Sequence, residues 1–134
     1  MKKINSIGVI DDDPITVFGI KKMLNALNVS DTIRTYANGK LAIDDIKEML
    51  HNNNKVPEVI FLDINMPIMD GWQFLEEFIT LPIDSRIRIN ILTSSIDPAD
   101  RQNWLYYKEK THHIVDYKNK PIRKKEIEEI TIPA

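Results

Sequence analysis

The run Val59-Ile60-Phe61-Leu62 is apolar at every position and stops abruptly on a carboxylate, Asp63. A strand with one wet face alternates apolar and polar residues. This one does not, so both of its faces must be covered, as in a parallel sheet enclosed by helices. Open sheets of that kind gather their ligands at the carboxyl ends of the strands, which is where Asp63 stands. An isolated Asp after a strand also reads as a simple turn cap, so its meaning depends on what other strands carry to the same edge.

The rest of the chain supplies those strands. Ile7-Gly8-Val9-Ile10 is a second buried run, and it ends on Asp11-Asp12-Asp13. Pro14 suits a first helical turn with Asp13 as its N-cap, and Ile20, Met23, Leu24 and Leu27 then fall on one helical face. After a break at Asn28 to Asp31, Thr32 to Tyr36 is β-branched and alternating and predicts a strand. Asn38-Gly39 predicts a turn, Ala42, Ile46, Met49 and Leu50 a second helical face, and His51 to Lys55 a polar, mobile loop.

Beyond Asp63, the loop Asn65 to Gly71 leads into a helix carrying Phe74, Leu75, Phe78 and Ile79, capped by Asp70 and closed by Pro82. Ile87, Ile89 and Ile91 alternate with Arg88 and Asn90 in a fourth strand that finishes Leu92-Thr93-Ser94-Ser95. Asp97-Pro98 repeats the cap-then-proline device before a helix with a weaker face, Trp104, Leu105 and Tyr107. Ile114 to Tyr117 is a short fifth strand that runs toward Lys120-Pro121, and a short charged helix covers about Arg123 to Ile130. Five strands separated by single helices imply a parallel sheet with right-handed crossovers and helices on both faces. No repeat or linker divides the chain, so residues 1–134 are expected to form a single domain.

Composition narrows the function. At 134 residues the chain suits one core, and its net charge of -2 makes neither nucleic acid nor an acidic membrane an expected partner. The absence of cysteine excludes disulfides, thiolate metal sites and a cysteine nucleophile, and suits a cytoplasmic setting. The opening Met1-Lys2-Lys3 is basic like a signal peptide. The apolar stretch after it is broken by Asn5, Ser6 and Gly8 and ends in aspartates, so no signal sequence is expected. No apolar run approaches the ~20 residues of a membrane-spanning helix.

The predicted topology sends Asp11 and Asp12 from strand one, Asp63 from strand three, Thr93 from strand four and Lys120 from strand five to one edge. Three close carboxylates repel one another unless a cation neutralises them, and an all-oxygen set suits Mg2+. A lysine and a hydroxyl beside such a cation can hold phosphoryl oxygens. The chemistry implied is phosphoryl transfer, with an Asp as acceptor or with hydrolysis of a phosphate. Each residue alone has an ordinary reading: a solvated or capping Asp run, a strand-end hydroxyl bonded to backbone, a surface lysine. The Lys120-Pro121 bond is open to either isomer. The functional reading rests on their joint arrival at one edge.

These blocks together resemble the receiver domain of two-component response regulators. The matching residues are Val9 to Pro14, Leu62 to Pro67 with Met69-Asp70-Gly71, Leu92 to Ser95, and Tyr117 with Lys120-Pro121. The resemblance implies a flavodoxin-like (βα)5 three-layer sandwich with strand order 2-1-3-4-5. It implies Asp63 as the residue phosphorylated from a histidine kinase or histidine phosphotransfer protein. Mg2+ would be held by Asp11, Asp12, Asp63 and the main-chain carbonyl of Asn65. Lys120 and Thr93 would bind the phosphoryl group, and Thr93 and Tyr117 would act as the switch toward helix four, strand five and helix five. Asn65 and Ser95 would tune dephosphorylation. The downstream target would be a protein, and the chain a monomer or a phosphorylation-dependent dimer. It would be an enzyme only toward its own phosphorylation and dephosphorylation.

Two stretches depart from the family pattern: His112-His113 before strand five, and the short last helix followed by Thr131-Ile132-Pro133-Ala134, which is expected to reshape the signalling face. Neighbouring side chains in a strand or loop point apart, so His112 and His113 are not expected to share a metal. The basic group Lys118, Lys120, Arg123, Lys124 and Lys125 is expected to be a solvated helix start plus one functional lysine. Trp72 is expected to pack the start of the third helix, and Trp104 to be partly exposed in a partner contact. Two alternatives stand beside this reading. One is a Mg2+-dependent phosphohydrolase with an aspartate nucleophile, in which Asp11 and Asp13 would match an Asp-x-Asp-x-Thr motif but Ile15 replaces the Thr. The other is a degenerate receiver that binds partners without phosphorylation.

Overall fold

The computed structural model describes residues 3–131. Five parallel strands, β1 (Ile7–Ile10), β2 (Ile33–Tyr36), β3 (Val59–Leu62), β4 (Arg88–Thr93) and β5 (Ile114–Asn119), form one sheet in the order β2-β1-β3-β4-β5. The connecting helices are α1 (Pro14–Leu27), α2 (Gly39–His51), α3 (Gly71–Phe78), α4 (Pro98–Glu109) and α5 (Lys124–Ile130).

The unbroken apolar run of β3 is explained by two cores. Ile60 and Leu62 join Ala42, Ile43 and Ile46 of α2 and Phe74, Leu75 and Phe78 of α3 on one face. Val59 and Phe61 join Ile20 and Leu24 of α1 and Ile127 and Ile130 of α5 on the other. Each fully buried side chain of this kind contributes roughly 1.5–3 kcal/mol, so neither face could be left open to water. The order of strands puts β1 and β3 side by side at the centre, in register from Ile7 opposite Val59 to Ile10 opposite Leu62. Asp11 and Asp63 therefore leave the sheet at equivalent points.

Local details differ from the sequence reading where one residue type serves two ends. The chain bends at Ala37 and Asn38 as expected, and Asn38 is also the N-cap of α2: its Oδ1 accepts from Leu41 N at 2.9 Å, and Gly39 is already helical. His51 is the last residue of α2, and the amides of Asn52, Asn53 and Asn54 bond back to its final carbonyls. Strand β5 runs on to Asn119 because Leu92 and Thr93 extend its ladder through Lys118 and Asn119. Leu105, expected on the buried face of α4, is 48% exposed. The Lys120-Pro121 peptide is cis. Met1-Lys2 and Ile132-Pro133-Ala134, with the expectations placed on them, lie outside the described residues.

Candidate functional site at the carboxyl edge of the sheet

The sheet's hydrogen-bond ladder continues one residue past β1 and β3 and fixes both acids. Asp11 N donates to the Tyr36 carbonyl at 3.0 Å, and Asp63 N donates to the Ile10 carbonyl at 2.9 Å. Asp11 and Asp63 are buried, 5% and 7% exposed, while Asp12 beside them is open to solvent. One carboxylate oxygen from each of Asp11, Asp12 and Asp63 lies within 4.8 Å of the others. Asp13 is not part of this group. Its two oxygens accept from Ile15 N and Thr16 Oγ1, both at 3.0 Å, so it caps α1.

Lys120 reaches the cluster from the end of β5. Its Nζ lies 2.9 Å from Asp11 Oδ2 and 3.7 Å from Asp63 Oδ1. Its amide donates to the Thr93 carbonyl at 2.9 Å, tying the lysine backbone to the end of β4. Thr93 is fully buried, and its Oγ1 accepts from Ser95 N at 2.9 Å. Among the described residues nothing accepts the proton of that hydroxyl.

Burial and the Asp11 charge push the Asp63 carboxyl up to about 6, while Lys120 and a hydrogen bond from Ile64 N oppose the rise. Burial pulls Lys120 down, but its hydrogen bond to Asp11 and the charges of Asp11, Asp63 and Asp13 outweigh it and hold the ammonium above its usual value. One lysine thus faces more negative charge than it can cancel. The donor set is oxygen only, rigid at Asp11 and Asp63 and adaptable at Asp12, which fits a hard divalent cation that keeps several waters. The Asn65 main-chain carbonyl accepts from no other described residue and is available as a further oxygen.

The loop after Asp63 is shaped by residues to which the sequence reading gave no site role. Gly71 N donates to the Ile64 carbonyl at 2.9 Å, and a Cβ on Gly71 would fall 2.4 Å from the Asp63 carbonyl oxygen. Only glycine lets α3 start this close to the phosphoacceptor candidate. Ile68, at the tip, holds φ 70°, a conformation that β-branched residues strongly disfavour. The side chains of Asp70 and Gln73 form a reciprocal capping box at the base of the loop.

Other candidate residues lie around the cluster and not in it. Tyr117 sits on β5 with its ring 5.8 Å from that of Trp104 on α4. Ser95 turns its hydroxyl to Asp100, a residue that the sequence reading passed over. Trp72 packs on Tyr107 with ring centroids 5.9 Å apart, as expected of a residue at the start of α3. Trp104 is half-buried and flanked by Arg101 and Lys108, 5.3 and 4.8 Å from its ring. His112 and His113 do not point apart: a bend brings their rings to 4.1 Å. They are committed all the same. His113 Nδ1 accepts from Ile87 N at 2.9 Å, and His112 Nε2 is 3.1 Å from the Ser85 carbonyl.

Residues 7–131 match the family model described as the response regulator receiver domain. A two-component response regulator from rice (Oryza sativa subsp. japonica) is 33% identical over 122 residues, 91% of this chain and 19% of the relative. The chain spans about a fifth or less of the length of the curated relatives it matches. A two-component response regulator from Cytophaga hutchinsonii has a similar structure, with TM-score 0.77, 26% identity, and coverage of 96% of this chain and 95% of that one. The receiver domain of a sensor histidine kinase from Pseudomonas aeruginosa matches with TM-score 0.75 at 24% identity, covering 95% of this chain and 93% of that one, and holds a magnesium ion in its active-site cleft. No helix among the described residues is long and apolar enough to cross a membrane.

Proposed function

The chain belongs to the response regulator receiver domain family, and from that premise we propose a phosphorylation-controlled signalling switch with Asp63 as phosphoacceptor. The observation that carries this reading is the geometry around Asp63: a buried carboxylate beside a second one, with the Lys120 ammonium 2.9 Å from Asp11 and 3.7 Å from Asp63. Asp63 Oδ1 is occupied by Ile64 N at 2.9 Å and faces Lys120, which leaves Oδ2 as the attacking oxygen. It forms a P–O bond as the P–N bond of a phosphohistidine breaks, and the imidazole leaves neutral, keeping the proton already on its other ring nitrogen. Mg2+, bound through Asp11, Asp12, Asp63 and the Asn65 carbonyl, would supply charge neutralisation for the carboxylates and the transferring group. Lys120 contacts the transferred oxygens, and Thr93, with an uncommitted proton, donates to another. Tyr117 then responds by changing rotamer against Trp104, altering the surface of α4, β5 and α5. Asn65 and Ser95 flank the product aspartyl phosphate and tune its hydrolysis.

The phosphodonor would be a histidine kinase or a histidine phosphotransfer protein, and the target a further protein. Support comes from the rim of the cleft. Ile15, Phe18, Leu41, Ile68 and Ile96 are all more than half exposed, and each lies in a loop or opening helical turns at the carboxyl edge. Exposed apolar side chains at this edge suit docking of a partner near Asp63. The chain is read as a cytoplasmic single receiver domain, 1–134, monomeric or dimerising on phosphorylation. The phosphohydrolase alternative loses support from Asp13, whose carboxylate is spent on the α1 cap. The degenerate-receiver alternative loses support from the complete set Asp11, Asp12, Asp63, Thr93 and Lys120. Incubation with acetyl phosphate and Mg2+ followed by intact-mass measurement tests the reading. Wild type gains one phosphoryl group and Asp63→Ala gains none; a phosphoryl group retained by the mutant overturns the assignment.

A further inference from the structure

Helix α4 is attached to the domain differently from its neighbours. None of its residues is buried, whereas α1, α2, α3 and α5 each sink at least two apolar side chains. Only the half-buried Trp104 and Tyr107 pack against the core, so directed contacts carry more of its attachment. Trp104 donates its indole N–H to the Val115 carbonyl at 2.8 Å, and Tyr107 stacks on Trp72 of α3. The third contact is Asp100 in the first turn, half-buried, which accepts from two donors at once. Oδ1 takes the Trp72 indole N–H at 2.9 Å, and Oδ2 takes the Ser95 hydroxyl at 2.5 Å. Bonds to a carboxylate are shorter and stronger than neutral ones, so this residue fastens two segments to α4.

The Ser95 end leads back to the phosphoacceptor cleft. The Ser95 amide donates to Thr93 Oγ1 at 2.9 Å, its hydroxyl oxygen accepts from Asp97 N at 3.2 Å, and its carbonyl accepts from Asn119 Nδ2 at 3.3 Å. The backbone and side chain of one residue therefore connect the Thr93 hydroxyl to Asp100, and Asp100 connects it to Trp72.

We infer that Asp100 is a latch, a positioning residue that holds the β4–α4 loop and Thr93 in the unphosphorylated arrangement and releases Ser95 when Asp63 is occupied, a change felt by the Trp72 indole on its other oxygen. The inference rests on the reading of Asp63 as phosphoacceptor. A phosphoryl oxygen gives the Thr93 hydroxyl an acceptor in the cleft, and a hydroxyl that turns to it shifts against the Ser95 amide. Ser95 follows only if its side chain lets go of Asp100. Bonds made in the resting state alone lower the fraction of molecules competent to bind, and apparent affinity falls by that fraction. Tyr117 packs on Trp104 and also feels the charge of Asp100, so Trp72, bonded directly to Asp100, is the indole that reports on the latch.

The test uses beryllofluoride with Mg2+ as the phosphoryl mimic, on the full chain carrying Trp104→Phe so that Trp72 is the remaining indole. Titrations compare this parent with Ser95→Ala, Asp100→Asn, Asp100→Ala and the double variant Ser95→Ala/Asp100→Ala. The parent changes Trp72 emission on binding. Ser95→Ala and Asp100→Ala each lower the half-saturating concentration by roughly five- to tenfold, Asp100→Asn by less, and the double variant by no more than a single one. Ser95→Ala keeps the Trp72–Asp100 bond, so it gives the answer if Asp100→Ala loosens the fold, which circular dichroism reports. Unshifted half-saturation in Ser95→Ala and Asp100→Ala, or additive shifts, overturns the latch. Intact mass after acetyl phosphate separates the two levels: modified Asp63 with unshifted titrations overturns the latch alone, and unmodified Asp63 in the parent overturns both.

Discussion

Replacing Asp63 with Asn raises the stability of the metal-free protein at neutral pH, by an amount that vanishes in acid. Asp63 titrates at about 6 in the folded chain, against an ordinary 3.8, because burial and the charge of Asp11 disfavour its ionised form. Well below about pH 4 the carboxyl is protonated in folded and unfolded chains alike, and the site carries no penalty. As pH rises from there, the unfolded chain ionises first and the folded chain holds its proton. Above about pH 6 the folded chain is forced to carry the charge, and the stability associated with the neutral carboxyl has been lost. The shift corresponds to roughly 3 kcal/mol at about 1.4 kcal/mol per unit, and solvent reaching the cleft beside exposed Asp12 reduces this to about 2 kcal/mol. Asparagine keeps the shape and can still accept from Ile64 N, but it never ionises. Urea denaturation of wild type and Asp63→Asn in the presence of a chelator, from about pH 4 to about pH 8, measures the difference directly. The expected result is a gain of about 2 kcal/mol at about pH 7.5, or a rise in Tm of roughly 5–8 °C, falling toward zero at about pH 4. His113, whose shift comes from burial, His112 and Arg86 and not from Asp63, is common to both proteins and cancels in the difference. Mg2+ at about a hundred times its Kd adds up to ~2.7 kcal/mol to wild type and less to the variant, so the advantage of Asp63→Asn shrinks. A destabilised variant at neutral pH, or a difference that does not change with pH, would refute the electrostatic reasoning.

Three further outcomes follow from single residues. Gly71→Ala drives a methyl group to 2.4 Å from the Asp63 carbonyl oxygen, so thermal unfolding should show a loss of about 2 kcal/mol or more, together with slower acceptance of a phosphoryl group. Ile68→Asn should stabilise by about 1 kcal/mol, because the residue is 80% exposed and holds φ 70°; asparagine adopts that conformation at lower cost, and a lower Tm would count against the strain. His113 is held down at about 4, chiefly by burial and then by His112 and Arg86. Its neutral form therefore supports the fold above about pH 6.5, and that support drains away as pH falls toward about 4, by up to ~3 kcal/mol. In the Asp63→Asn background, His113→Gln should be less stable at neutral pH but show a flatter pH profile, and an unchanged profile would show that His113 does not titrate in this way.

The sequence by itself determined the strands, their parallel order of use and the identity of the charged cluster. The reason is that strand burial and helix periodicity are written locally. Val59 to Leu62 had to be covered on both faces, and the fold divides that run between two cores. Once all strands run the same way, every residue just past a strand lands at one edge, so Asp11, Asp12, Asp63, Thr93 and Lys120 were legible without any contact being known. Local patterns could not say how these residues share charge. Lys120 lies nearer Asp11 than Asp63, at 2.9 against 3.7 Å, and only the packing of β5 beside β4 decided that. The weak periodicity of α4 put Leu105 on the wrong face, because that helix buries no side chain fully and only Trp104 and Tyr107 pack against the core. His112 and His113 meet through a bend that has no sequence signal. The sequence places Gly71 at the end of a loop, and only the fold sets the Asp63 carbonyl against it. Asp100 and Trp72 stand 28 residues apart on helices that share no local pattern, and their bond exists only because tertiary packing sets α3 beside α4.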